Sequence, residues 1–306
     1  MKNIVDKYLK GEFGFARKLI GIAAVVVIMF SAFSLVSCNR FQSENGLIFY
    51  LKPSSKEYTV YAGNGLGAEV VIPSEFNGKP VTEIMGEGFA NNAINGSFKV
   101  GKTDEIKSIF IPASIKKIWM GIFMGCVELE TITVANDNPF YKSDGNCLIE
   151  IATNTVIAGC GASVIPDYIT KVATYSFLGT KLWNNAPDND IVYVGKWVVG
   201  IKGNIGRSIV LDSDTTGIGD GAFSGCSQLE SIKLSSTLMS IGEFAFFDCS
   251  SLKDIIIPLS VTLIPRNVFI GCESLVTIYA EAEDKPVGWD DYWKPYYCSV
   301  VWGYSN

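Results

Sequence analysis

The chain has 306 residues and a formal net charge of -6, which argues against nucleic acid as a partner because phosphate binding needs a concentrated positive surface. Hydrophobic residues make up 48% and charged residues 18%, a balance that suits strands buried in series. Histidine is absent, which removes Ser-His-Asp and Cys-His catalysis, His-ligated metals and histidine pH switches but leaves carboxylate pairs, Lys and Tyr as catalytic groups; the reading assigns no catalytic residue, metal or cofactor.

The chain opens with a targeting segment over residues 1–37. Lys2, Lys7, Lys10, Arg17 and Lys18 form a basic region, residues 19–33 an apolar one, and Leu35-Val36-Ser37-Cys38 closes it. That tetrapeptide resembles a bacterial lipobox, in which the cysteine is lipidated and becomes the mature N-terminus. It implies lipidation at Cys38 and attachment to the outer membrane. The apolar run is shorter than the roughly 20 residues a spanning helix needs. Residues 38–45 then read as a polar, lipidated tether. Residues 46–51 and 58–62 are aromatic and β-branched runs around a Pro-Ser-Ser turn, the form of a hairpin, and residues 46–66 are predicted to cap the N-terminal end and hide an open sheet edge.

A repeating beat runs from residue 67 to 280. Val70-Val71-Ile72-Pro73 starts it, with Asn77-Gly78 as a turn signal inside an insertion. Copies follow at Ile106 to Pro112 and at Cys126, Leu129, Ile132 and Val134. Near residues 135–160 the array is irregular, and residues 147–151 with 155–158 read as an inserted hairpin. The beat recovers at Val164-Ile165-Pro166 and Phe177. Phe177 and Phe223 stand 46 residues apart, two periods, so residues 191–203 are predicted to hold a disguised coil around Trp197. Then the unit is written three times over: Phe223, Phe246 and Phe269 recur every 23 residues, as do Cys226, Cys249 and Cys272. A fixed period of this size marks a solenoid, since one unit cannot bury its apolar side alone. About eight coils at roughly 4.8 Å per parallel strand give a sheet of about 35 to 40 Å.

The wording Cys249-x-x-Leu252-x-x-Ile255-x-Ile257-Pro258, followed by Ile264 and Val268-Phe269, resembles the BspA-type leucine-rich repeat found in bacterial surface and secreted proteins. The resemblance implies a leucine-rich-repeat solenoid: a curved parallel β-sheet with short strands, turns or 3-10 segments on the other face, rich in β-structure with little helix. It also implies a protein that works by binding.

In each strand the apolar positions point inward and their neighbours outward. The outward row supplies the candidate ligand-contact face: Phe110, Thr131, Thr133, Val210, Lys233, Ile256 and Tyr279. The cysteines, spread along a line and not gathered at Cys-x2-4-Cys spacing, read as free buried thiols, with Cys147 and Cys160 close enough in sequence to pair across the hairpin. Residues 281–306 abandon the repeat and concentrate Trp and Tyr, the composition of a C-terminal cap or, alternatively, of a platform for sugar rings. Asp188-Asn189-Asp190 and Asp212-Ser213-Asp214 lack the Gly and Glu that would continue an EF-hand and read as solvated turns.

These features together point to a surface-exposed envelope protein, lipid-anchored in the membrane, that recognises or adheres to an extracellular or host protein. A polysaccharide-binding lipoprotein and an architectural envelope protein without a specific ligand are the alternatives.

Overall fold

Between residues 216 and 280 each unit makes the same circuit. A strand in a front row (Ser231–Lys233, Asp254–Ile257, Thr277–Ala280) turns into a short second row (Gly217–Ile218, Ser240–Ile241, then a bridge at Leu263). A run of tight turns carrying the phenylalanine returns the chain to the front. The structure, a computed structural model, describes residues 41–85, 88–90 and 103–305, and those from Ser43 onward form one compact unit. Lys181–Asn185 is the α-helix among the described residues, and the solenoid makes about ten turns.

The strands repeat because β-branched residues alternate with polar ones at period two. Thr131–Val134 runs exposed, buried, exposed, buried, and Ile132 and Val134 enter the core. Parallel register then stacks like on like: Ile109 pairs with Ile132, Ile209 with Ile232, and Ile255 with Ile278. Inside the turns the rings form a ladder. Phe223, Phe246 and Phe269 lie nearly parallel, with centroids 5.2 and 5.4 Å apart. Close approach of the coils depends on the glycine that follows the second-row Ile241. A Cβ on Gly242 would sit 2.4 Å from the backbone nitrogen of Asp220 and 2.5 Å from the carbonyl carbon of Gly219, so any side chain there would push two coils apart.

The N-terminal hairpin pairs residues Leu47–Leu51 with Tyr58–Ala62, as predicted. Its second strand then pairs in parallel with Lys79–Ile84, so the hairpin extends the second row, while the front strand Glu69–Val71 is paired only with Ser108–Ile111 among the described residues. Among the described residues the hairpin therefore does not cover the first coil's front edge, contrary to expectation. An ionic network holds the hairpin down: Lys52 lies 3.3 Å from Glu57 and 3.2 Å from Glu83, and Lys116 3.1 Å from Glu57. The Lys116 hydrogen bond leads the effects that lower the Glu57 carboxyl to about 2. Asn77 and Gly78 both adopt positive φ in the turn between Glu75–Phe76 and Lys79–Ile84, which is why that pair of residues is needed there.

Three further expectations change. Residues 41–44, read as tether, form the strand Phe41–Glu44 at the head of the N-terminal sheet. Cys147–Glu150 and Thr155–Ala158 form the inserted hairpin, but Tyr141–Asp144 adds a third strand to it. Residues 191–203 are not a disguised coil of the common kind. Asp190–Val194 and Trp197–Lys202 form an antiparallel hairpin whose second strand joins Gly217–Ile218 in the second row.

The C-terminal tail does not leave the repeat. Ser299–Val301 continues the front row in parallel with Thr277–Ala280, Trp289 bridges to Ile264 in the second row, and Trp293 meets Phe269 edge-on at 6.2 Å as the last ring of the ladder. The tail is one more coil in which tryptophans take the places of isoleucine and phenylalanine.

Candidate binding surfaces

The front row is interrupted. It runs through Glu69–Val71, Ser108–Ile111 and Thr131–Val134, stops, and resumes at Ser208–Val210. The inserted strands between Tyr141 and Lys202 belong to other sheets, and they divide the predicted contact face into two groups. Phe110 and Thr133 stand opposite each other in the first group, with exposed Thr131 alongside. In the second, Val210 stands opposite Lys233 and Ile256 opposite Tyr279. All seven lie on the outward side. Val210 is 66% exposed, and Phe110, Ile256 and Tyr279 are half-buried by their neighbours.

Two columns result on the C-terminal part of the sheet. Val210 and Lys233 on one pair of strands, and Ile256, Tyr279 and Val301 on the next three, make up an amphipathic column, and the ring of Tyr304 lies 4.8 Å from that of Tyr279. Beside it runs a hydroxyl column, in which Ser231 donates to Ser208 at 2.8 Å and Thr277 and Ser299 lie 3.4 Å apart, with Asp254 between the pairs. Glu230 closes the rim, bridging Lys253 at 2.6 Å and Arg207 at 2.7 Å, and Lys253 is the chief cause that holds its carboxyl below the usual range. Val301 and Tyr304 were missed in the sequence because the last coil is one residue short of the 23-residue period.

The thiols explain themselves by hydrogen bonding. Cys126 donates to the Phe89 carbonyl at 3.0 Å, Cys249 to the Phe223 carbonyl at 3.2 Å, and Cys272 to the Phe246 carbonyl at 3.0 Å. Each reaches a turn carbonyl one coil back, and at Phe223 and Phe246 it adds a second bond to a carbonyl that already accepts the N–H of Cys226 or Cys249. All seven cysteines among the described residues are free, including Cys147 and Cys160, and no group of three or more Cys, Asp or Glu there is arranged to hold a metal. Burial pushes Cys126 up to about 12 and Cys226 up to about 11. Cys226 corrects the expectation of uniform burial: it is half-exposed and caps no carbonyl, because the coil before it has no ladder phenylalanine. Native protein treated with iodoacetamide at pH 8 is therefore expected to label Cys226 ahead of Cys126, Cys249 and Cys272, and all four after denaturation. Equal native labelling of Cys249 and Cys226 would contradict the carbonyl-capping role.

The aromatic tail splits by depth. Trp289 and Trp293 are 2% exposed, and the Trp289 indole donates to the Val261 carbonyl at 3.0 Å, as a cap requires. Tyr292 and Tyr296 face solvent at 74% and 96%. Cys38 and the targeting segment lie outside the described residues.

The family model of the BspA type leucine rich repeat region matches this chain in six copies, over residues 92–185 and 205–285. Similar solved structures include a leucine rich cell surface protein from Faecalibacterium prausnitzii A2-165, 21% identical, with 84% of this chain and 58% of that one aligned at a TM-score of 0.36. The chain thus spans less than two thirds of that protein's length. Others are a leucine rich repeat protein of T. pallidum, 20% identical over 87% and 85% of the two chains at 0.29, and one from Bacteroides ovatus ATCC 8483, 14% identical over 85% and 99% at 0.29. No curated protein matches the sequence.

Proposed function

Because the chain belongs to the BspA-type leucine-rich repeat family, we propose that it acts by binding an extracellular or host protein on the outward face of its front sheet. The observation that supports this most is the column from Val210 through Lys233, Ile256 and Tyr279 to Val301. It combines aliphatic, cationic and aromatic contacts on two parallel-paired sets of strands, Val210 with Lys233 and Ile256 with Tyr279 and Val301. Such a surface meets a partner without first having to order itself, which removes part of the entropic cost of association. Capture of surface and matrix proteins by the wild-type chain, compared with Lys233→Ala, Ile256→Thr and Tyr279→Ala, tests it. At least one substitution should weaken the captured partner about tenfold or more with the melting temperature unchanged. Three unchanged affinities would move the binding surface elsewhere.

Exposed Tyr292 and Tyr296 favour a second reading, a glycan contact at the C-terminal end. It predicts array binding that is lost in Tyr296→Ala and kept in Tyr279→Ala.

The lipobox-like Leu35-Val36-Ser37-Cys38 supports a place in the envelope with acylation at Cys38, and membership of a family of surface proteins supports exposure at the outer membrane. Cys38→Ala should yield unprocessed precursor or released protein on cell fractionation. A variant that stays processed and membrane-bound would refute lipid anchoring.

A further inference from the structure

The place where the front row restarts has an unpaired edge. Ser208–Val210 pairs in parallel with Ser231–Lys233 and with no other strand among the described residues. In a parallel ladder alternate residues direct both backbone groups to the same neighbour. Ser231 donates to the Arg207 carbonyl at 3.1 Å and Leu211 donates to the Lys233 carbonyl at 3.0 Å, so residues 207, 209 and 211 serve that side. The N–H and C=O groups of Ser208 and Val210 are left for the other side, where none of the described residues bonds to them.

A groove of about 420 Å³ lies beside this edge. Val210 and Asp212 form one wall, and Leu182, Asp190, Ile191 and Tyr193 line the opposite one. Asp212 donates its backbone N–H to the Tyr193 hydroxyl at 3.1 Å, tying the two walls together. Both acidic side chains are exposed and neither pairs with a Lys or Arg among the described residues. Lys202 nearby is already committed, lying 3.0 Å from Asp188 and donating to the carbonyls of Asn184 and Ala186. The groove therefore joins three things: a strand edge with free donors and acceptors, apolar side chains from both walls, and two uncompensated negative charges.

We infer that this groove takes an extended, basic segment of another protein, which adds a strand to the open edge of Ser208–Val210 and sets Lys or Arg against Asp190 and Asp212. The backbone edge supplies hydrogen bonds whatever the sequence, and alternation of side chains along the incoming strand supplies the selection, apolar toward Leu182, Ile191 and Val210 and cationic toward the aspartates. An acidic segment would meet like charge on both walls. The site goes beyond the front-face reading: it shares Val210 with that column, but Asp190, Asp212 and the open strand edge are no part of the column.

The test is fluorescence anisotropy of the full chain with short peptide libraries that carry Lys, or Glu, at alternate positions. The Lys library should bind at least tenfold more tightly than the Glu library, and methylating alternate backbone nitrogens of the bound peptides should abolish binding. The double variant Asp190→Asn/Asp212→Asn should weaken the Lys library at least tenfold at unchanged melting temperature, whereas Ile256→Thr and Tyr279→Ala should leave it unaltered. No binding of the Lys library, equal binding of the Glu library, or indifference to backbone methylation or to the double variant would each overturn the proposal. So would self-association of the chain that the double variant abolishes, because the occupant would then be a second copy.

Discussion

Phe246→Ala is expected to lower the unfolding free energy by about 3 to 5 kcal/mol, the range for truncating a buried aromatic and leaving a cavity. Its ring is fully buried and stacked between Phe223 and Phe269, within 7° of parallel to each. Neither neighbour can collapse into the space, because each is held in its own turn: the Phe223 carbonyl accepts from the Cys249 thiol and the Phe269 carbonyl from the Cys272 N–H. Lys233→Ala, on an exposed side chain of the neighbouring front strand, should change stability by no more than about 0.5 kcal/mol. Denaturant titration of both variants checks the pair. Comparable losses would mean that the strand register, and with it the inward and outward assignment, is wrong.

Trp293→Ala should also cost about 3 to 5 kcal/mol, but from the end of the array and not its middle. Trp293 is buried against Phe269 and lies 4.8 Å from Trp289, so its removal opens the last core layer to water. In a solenoid each coil contacts only its neighbours, and damage at an end spreads inward by fraying. Hydrogen exchange should accordingly quicken first at Ser299–Val301 and Thr277–Ala280, with the amides of Ser208–Val210 unaffected. Tyr292→Ala, one residue away but exposed, should stay within about 0.5 kcal/mol. Uniform acceleration throughout the chain in Trp293→Ala would show that the tail does not act as a local seal.

The sequence announces the regular coils because identical residues must stack. Phe223, Phe246 and Phe269 keep their spacing, so period alone places the ladder, and alternation places Thr131, Thr133 and Lys233 outside. The tail was illegible for the opposite reason. Trp289, Trp293 and Val300 follow Ile264, Phe269 and Ile278 at intervals of 25, 24 and 22 residues, with changed residue types, so period and wording fail together although the pairing persists. Cys226 carries the repeat's wording without its environment, because the carbonyl that its equivalents cap belongs to the preceding coil, and the preceding coil is a hairpin. The groove between Asp190 and Asp212 was hidden for a related reason. Each acidic pair looks like an ordinary turn in sequence, and only the interruption of the front row sets them across from one another.

The stacking of like upon like in the C-terminal coils has a consequence for how such a chain can change over time. Phe246 has phenylalanine on both sides, Cys249 and Cys272 make the same bond, and Ile255 and Ile278 pair face to face. A duplicated 23-residue unit inserted there would meet on both sides the chemistry its parent already meets. Gene duplication or deletion in whole units would therefore lengthen or shorten this part of the molecule in steps of one strand spacing, about 4.8 Å, without designing a new interior. Length becomes a heritable variable largely uncoupled from core packing, and the number of outward side chains offered to a partner varies with it.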